Sequence, residues 1–419
     1  MLEKMIPLEE ARAIVLDHVA PLDVVSHPAW RAVGLPLAED AATDIDLSPF
    51  ANSAMDGYAL RSADLAAAGP DAPAVLDVVG HEAAGHVFEG TVEAGQTVRI
   101  MTGAPMPDGA DAVVKYEVVE VLEGDGNEGS RVAFRAAAPV GDNVRAAGLE
   151  AHAGEVVMHA GEVVTAAGAG LLASAGCSSV RVRRQPVVGV LSIGTELVDP
   201  ATVPARGQIR DANSSAILAA ALQAGAEVRF GGIAPDDEAA ITRAVLGLVE
   251  TCDFVITSGG ASAGDYDYVT ALARREGEVL FDRISLRPGK AITFGLIRDV
   301  PFLGLSGNPA AASVGFEMLA RPAIRKMLGY TSFERPVQRA RVLHAVEKRQ
   351  ERRFYDRASV SRDEAGELVV RSAKSQNSAL LGTLHHANCL LMVPEGLVGY
   401  DEGDEAPCVR IDLPEGSVI

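Results

Sequence analysis

The chain has 419 residues, and 37 Lys plus Arg against 57 Asp plus Glu give a formal net charge of −20. That acid excess argues against any partner held by bulk electrostatics, so neither nucleic acid nor an anionic membrane surface is expected. At 48% hydrophobic and 22% charged the composition is globular, and 5% aromatics leave Val, Leu, Ile and Ala to build the cores.

From Pro7 to Val19, apolar residues recur at helical spacing with Glu9 and Glu10 in the first turn, which predicts an amphipathic helix. Between about Leu22 and Arg184, short Val-rich runs at 75–80, 96–103 and 110–122 are punctuated by Gly, Pro and Asp, with a hairpin tip at 123–130. After Gln185 strands alternate with helices: PVVGVLSIG, SSAILAAALQAG, EVRFGGI, DEAAITRAVLGLVE, DFVITSGG and so on, ending in a helix from Pro309 to Leu328. Asn213 or Ser214 is a plausible N-cap for the first of these helices, and Gly225 stops it. Such alternation predicts a doubly wound, mainly parallel sheet. Beyond Gly329 five strand-like runs predict a small β-barrel or sandwich. The fold class is therefore multidomain, α/β plus all-β, and no internal repeat stands out. Four scattered cysteines without a C-x-x-C pair fit a reduced cytoplasm. The N-terminus does not read as a signal peptide, and no stretch has the ~20 strongly apolar residues of a spanning helix.

Several chemical patterns fail on spacing. His81, Glu82 and His86 miss the i, i+4 histidines of a zinc helix, because position 85 is Gly85. GASAG at 260–264 matches the nucleophile elbow, yet the strand before it ends near Thr257, too early for Ser262 to sit on a strand-end turn. The longer loop SGGASAGDYD at 258–267 reads instead as an anion cradle followed by hard oxygen ligands at Asp265 and Asp267, or as caps of the next helix. Glu196, Asp211, Asn213, Asp236, Asp237 and LSGNP at 305–309 all follow strand ends, where open α/β sheets bind ligands. Arg283, Arg287 and Lys290 cluster in one segment and suit an oxyanion or phosphate.

As an ordered set, PLEEARAIVL, FANSAMDGYAL, RIMTGAPMPDGADAVV, GDNVRAAG, SIGTEL with GQIRDAN, SGGASAGDYDYV, LRPGKAITFG and LSGNPAAA resemble the MoeA family, the molybdopterin molybdenumtransferases, which includes the E domain of gephyrin. The resemblance spans essentially the whole chain. It implies four domains: 1–23 with 185–329 as the molybdopterin-binding α/β domain, 24–46 with 139–184 as a β-rich connection, 47–138 as a β-rich lobe completing the partner's site, and 330–419 as a C-terminal β-barrel. It implies a cytoplasmic homodimer that inserts molybdenum from molybdate into adenylated molybdopterin with Mg2+-dependent release of AMP. Transient contacts with the adenylyltransferase and with apo-molybdoenzymes are implied as well.

By motif, the resemblance gives catalytic roles to Asp56 and Thr102 from one subunit and to Glu196, Asp236 and Asp267 from the other, the last three also holding the metal. Substrate contacts fall to Gly57, Tyr58, Gly103, Ser258, Gly259, Gly260, Ser262, Arg283, Arg287, Lys290, Ser306, Asn308 and Pro309. Glu150 stands where the family commonly has GED and this chain has GLE, while Ser306 replaces a proline and Ala311 a serine of LPGNPVS. Arg283 and Arg287 occupy positions where lysine is frequent. Two other readings are a non-catalytic molybdopterin-binding scaffold and a serine hydrolase using Ser262.

Overall fold

The computed structural model describes residues 5–260 and 268–417. It divides into two compact units made of interleaved segments, Met1–His27 with Gly34–Ala38 and Arg181–Ile419, and Pro28–Val33 with Glu39–Val180.

In the first unit the strand and helix alternation after Gln185 makes a six-stranded sheet. Its order is Glu227–Ala234, Val187–Ile193, Phe254–Ser258, Val300–Leu305, Ala291–Ile297 and Gly277–Arg283. The first four strands are parallel and the last two add an antiparallel extension. Strand Val187–Ile193 is apolar on both faces apart from Ser192, because helices cover both faces of the sheet. Leu191, Ile193, Val255 and Phe302 pack with Ile241 and Val245 of helix Glu238–Val249 and with Leu272 of helix Tyr268–Glu276. The start of the central strand is pinned by Asp253, which accepts the Val187 amide at 2.8 Å and both terminal nitrogens of Arg184 at 2.7 and 2.6 Å.

The amphipathic helix, Leu8–Asp17, buries Leu8, Ala11 and Val15. Arg12 Nε donates to Met318 O at 3.2 Å, and Lys326 Nζ to Leu16 O at 2.7 Å. The helical run after LSGNP is divided: Pro309–Gly315, a π-helical turn Phe316–Ala320, then Arg321–Met327.

The C-terminal strands Val337–Val342, Arg353–Arg362, Leu368–Ser372, Cys389–Val393 and Glu405–Arg410 each pair with two neighbours and close a barrel. Closure removes the sheet edges that would otherwise expose unpaired backbone groups. The short strand Leu286–Arg287 joins this barrel, running parallel to Arg353 and Phe354.

The second unit holds a curled six-stranded sheet in the order Ala112–Lys115, Gly57–Leu60, Gln96–Ile100, Ala74–Glu82, Arg131–Phe134 and Glu120–Glu123. The run at 110–122, expected as one strand, is broken. A 3-10 turn Tyr116–Val118 separates two strands, and the Tyr116 amide bonds Asp56 O at 3.2 Å as the chain turns.

The expectation of no internal repeat is also corrected, since HAGEVV occurs at 152–157 and again at 159–164. The two copies fold alike. His152 and His159 each face an aspartate, Asp46 and Asp40, whose Oδ1 accepts the amide of the following alanine at 2.8 Å. The second copy sits one turn further along the chain and repeats the same Asp-capped turn.

Candidate active site

The four parallel strands change direction of winding between Val187–Ile193 and Phe254–Ser258, because Glu227–Ala234 is added on one side and the later strands on the other. Loops leave that switch point in opposite directions and open a crevice at the carboxyl ends. SIGTEL and the SGG turn are the two loops that do so here.

Strand direction places most of the expected ligands at this one end. Asp236 follows the outermost strand and Glu196 the next. Ser258 closes the third strand and Ser306 follows the fourth. Arg283 ends the edge strand and Lys290 precedes its antiparallel neighbour, with Arg287 between them. Thr195 N donates to Asp236 Oδ2 at 2.8 Å and Asp236 N to Thr195 Oγ1 at 3.1 Å, so the two acidic loops are tied to each other. Asp237 is a helix cap, its Oδ1 accepting Ala240 N at 2.8 Å. Ser262, Asp265 and Asp267 lie outside the described residues.

The neutral middle of this end is tightly built. Gly259 has φ 88, and a Cβ there would stand 2.2 Å from Ile193 O, so the turn needs glycine twice over. Gly260 follows in the same conformation at φ 71. Ser258 is buried, and its hydroxyl accepts Asn213 Nδ2 at 2.7 Å; the same amide reaches Gly307 O at 2.9 Å. Asn213 therefore links two strand-end loops, whereas the sequence suggested a cap. Asp211 does the capping, accepting Ser214 N at 3.1 Å. Asn308 precedes Pro309, which opens the helix at a position where a missing amide proton costs nothing. Among the described residues, the buried Ser192 Oγ, Thr257 Oγ1 and Asp211 Oδ2 find no hydrogen-bond partner.

Arg283, Arg287 and Lys290 make no ion pair with a carboxylate among the described residues. Structure adds cations that sequence reasoning missed. The barrel brings Arg352 and Arg357 toward Arg287: Arg352 donates to Leu286 O at 3.2 Å, and the buried Arg357 bonds Thr383 Oγ1 at 3.1 Å and Asn377 O at 2.9 Å. Burial first, then the neighbouring Arg287 charge, holds the Arg352 guanidinium below its usual range. For Arg357 burial also wins, over the attraction of Asp356. Asp356 is itself pushed upward by burial, against the pull of Arg287 and Arg357. No local sequence pattern joins 286–287 to 352–357; only the parallel pairing does.

In the second unit the MDGYA and MTGAP motifs meet. Thr102 donates both its amide and its hydroxyl to Asp56 Oδ1, each at 2.7 Å. The hydroxyl bond first, then the amide bond, lowers the Asp56 pKa, with Arg99 adding a smaller attraction. Gly57 is structural as well, because a Cβ would lie 2.2 Å from Val114 O of the paired strand. Gly103, at φ 82, makes the turn behind Thr102 and donates its amide to Ser53 O at 2.8 Å. Tyr58, expected at the substrate, is a core residue here, 1% exposed, with its hydroxyl given to Gly126 O at 2.8 Å. Its ring packs with Leu60, Leu76 and Phe134 in the core of this unit.

Glu82 neighbours this turn, its carbonyl accepting the Met101 amide at 3.0 Å. The side chain is 1% exposed and neither carboxylate oxygen has a partner of normal geometry. Burial raises its pKa, offset only in part by the Phe88 backbone. A raised carboxyl contributes stability below the ordinary carboxylate range and loses it as pH rises through the folded value. Glu82→Gln keeps the shape and removes the charged form that burial penalises, so it is expected to raise stability at pH 8 and to do so less at pH 5. Thermal denaturation at both pH values checks this.

Fold and site together define a molybdopterin-binding enzyme of the multidomain kind. Three family models account for the chain in order: the MoeA N-terminal region (domain I and II) over residues 6–176, a probable molybdopterin binding domain over 189–326, and the MoeA C-terminal region (domain IV) over 339–410. The chain belongs to the MoeA family of molybdopterin molybdenumtransferases and acts in molybdenum cofactor biosynthesis. The molybdopterin molybdenumtransferase of Bacillus subtilis (strain 168) is 34% identical, with 100% of this chain and 97% of that protein aligned. The one of Staphylococcus aureus (strain COL) is 33% identical over 95% of this chain and 94% of its own length. A crystal structure of the molybdopterin biosynthesis MoeA protein of Pyrococcus horikoshii superposes with a TM-score of 0.80 at 27% identity, covering 97% of this chain and 100% of that one. Among the described residues no helix is long and apolar enough to cross a membrane.

Proposed function

We propose that the chain transfers molybdenum from molybdate to adenylated molybdopterin, with release of AMP, at a site completed by a second copy. The observation that carries this reading is the separation of charge across one sheet end. Carboxylates of Glu196 and Asp236 follow the first two strands of the sheet order, the cations of 283–290 connect the last two at the same end, and glycine and serine loops lie between. Three to five strand spacings of about 4.8 Å put roughly 14–24 Å between the two groups, too far for ion pairing and suited to an extended anionic substrate.

Among the described residues no three His, Cys, Asp or Glu side chains converge, so a closed metal cage does not occur there. Magnesium does not require one, since it commonly takes one or two carboxylates and completes its shell with waters and phosphate oxygens. Glu196 and Asp236 fit that donor set, and Asp267 is assigned by motif to the same group. Bound magnesium supplies charge neutralisation at the phosphoanhydride. The chain's own groups orient the rest: the SGG amides and Lys290 hold phosphate, Arg283 and Arg287 hold the molybdate dianion, and Ser306, Asn308 and Pro309 form the wall.

Asp56 and Thr102, which belong to the other compact unit, would come from the partner of a homodimer, as their motifs imply; the four-domain division is part of the same reading. A mixture of Asp56→Asn and Glu196→Gln chains tests it. Each variant alone is expected to be inactive, and refolding the two together should restore a substantial fraction of activity through heterodimers with one intact site. Absence of recovery, with mixed dimers demonstrated by mass, contradicts a shared site.

A further inference from the structure

Arg287 has an unusual companion. Its guanidinium carbon lies 4.3 Å from the centroid of the Phe354 ring, within cation–π range. The Phe354 side chain is 1% exposed, so the ring does not move to meet the cation. Backbone pairing sets the two residues opposite each other, Arg287 with Phe354 and Leu286 with Arg353. Arg352 then fastens the same strand by donating to Leu286 O at 3.2 Å. A second cation, Lys348, sits 5.8 Å from the ring centroid and gives its ammonium to Pro394 O.

The choice of partner matters chemically. A carboxylate beside Arg287 would orient it but would also occupy its donor fork and cancel its charge. An aromatic face orients the plane and leaves the N–H donors unclaimed. Among the described residues Arg287, Arg352 and Arg357 make no ion pair with a carboxylate, and Asp356, the acid that attracts Arg357, is pushed upward by burial. The local balance is therefore positive in a chain whose total is −20.

We propose that Phe354 is a positioning residue that holds the Arg287 guanidinium with its donor edge open to a tetrahedral dianion. The inference rests on the reading of Arg287 as a molybdate ligand and adds how an arginine serves where lysine is frequent in the family. Lysine, a flexible point charge, has less use for a planar support.

The test measures molybdate binding to the intact protein by calorimetry, together with KM for molybdate and kcat for AMP release. Phe354→Leu is expected to weaken molybdate binding about 2- to 30-fold, the range spanned by cation–π contacts, with KM rising and kcat little changed. Phe354→Tyr should restore affinity. Phenylalanines carrying one, two and three ring fluorines at position 354 keep the shape while weakening the ring quadrupole, and affinity should fall stepwise along that series. They also keep the test decisive if the leucine variant folds poorly. A flat fluorine series overturns the proposal while leaving Arg287 as a ligand if Arg287→Ala still abolishes binding. If Arg287→Ala binds molybdate as the parent does, the underlying reading fails and the proposal falls with it.

Discussion

Replacing Asp56 by Asn should lower kcat for AMP release by about 10²- to 10⁴-fold while the protein stays folded. The carboxylate is not a fold element: its Oδ1 takes both bonds from Thr102, and the exposed Thr102 side chain packs no core. Those two bonds act on the charged form, which is why the Asp56 pKa is lowered. A lowered carboxyl stays ionised to pH values below the ordinary range, so the acid limb of kcat/KM in the parent should lie below that range. Thr102→Val removes the hydroxyl bond, the larger of the two causes, and should move the acid limb upward with a smaller loss of kcat than Asp56→Asn. An unmoved limb in Thr102→Val contradicts the pairing as the source of the shift.

The second large effect concerns stability. Glu415, 1% exposed at its side chain, sits among Arg321, Arg325 and Arg335, with Arg325 Nε at 3.2 Å from Oε2 and Arg335 Nε at 3.9 Å from Oε1, and Arg321 closer still. Among the described residues Glu317 is the other acid within ion-pair distance of these arginines, 3.2 Å from Arg335 Nε. Burial pushes the Glu415 carboxyl up, but hydrogen bonding to Arg321 and the charges of Arg321 and Arg325 prevail and leave its pKa lowered. Glu415→Gln strands buried guanidinium groups with a single counter-ion, and breaking such a set costs about 3–5 kcal/mol. Because Arg335 Nη1 also donates to Leu413 O at 2.6 Å, the C-terminal segment should detach with it. Hydrogen exchange should accelerate in Pro309–Gly315 and Arg321–Met327, and the denaturation midpoint should drop. The sign of the pH dependence follows from the lowered carboxyl. Stability supplied by Glu415 is present above its unfolded pKa and fades as pH falls through the folded value. The parent and Glu415→Gln should therefore converge in acid.

Much of the α/β unit was legible in the sequence because its signals are local. PVVGVLSIG carries the buried strand Val187–Ile193 in a run that is apolar apart from Ser192, and the glycines after Ser258 mark a turn that only they can make. The strand-end positions of Glu196, Asp236 and Ser306 followed from the same alternation, since parallel strands send all their carboxyl ends one way. The motifs MDGYA and MTGAP named Asp56 and Thr102, although nothing in either segment announces that they bond each other.

What stayed hidden depends on contacts between distant segments. Phe354 and Arg352 reach Arg287 through a two-residue parallel pairing with no periodic signature of its own. Tyr58 lies inside a site motif, yet it packs in the core beside Leu60, Leu76 and Phe134, in a strand buried along its whole length. Asn213 has the composition of a cap and instead bridges Ser258 and Gly307, a role set by where two other loops end. The Ala112–Lys115 strand gives way to the 3-10 turn Tyr116–Val118 although the Tyr116 amide still bonds Asp56 O, the next step of the ladder with Gly57–Leu60, and the β-favouring sequence does not mark that end.

The most direct measurement quantifies AMP released and molybdenum bound after the purified chain meets adenylated molybdopterin, with molybdate and magnesium each supplied or withheld. The expected result is one AMP per molybdenum transferred, formed only when both are present and abolished by a magnesium chelator. AMP release that continues without molybdate, or molybdenum insertion with the adenylate left intact, would contradict the account.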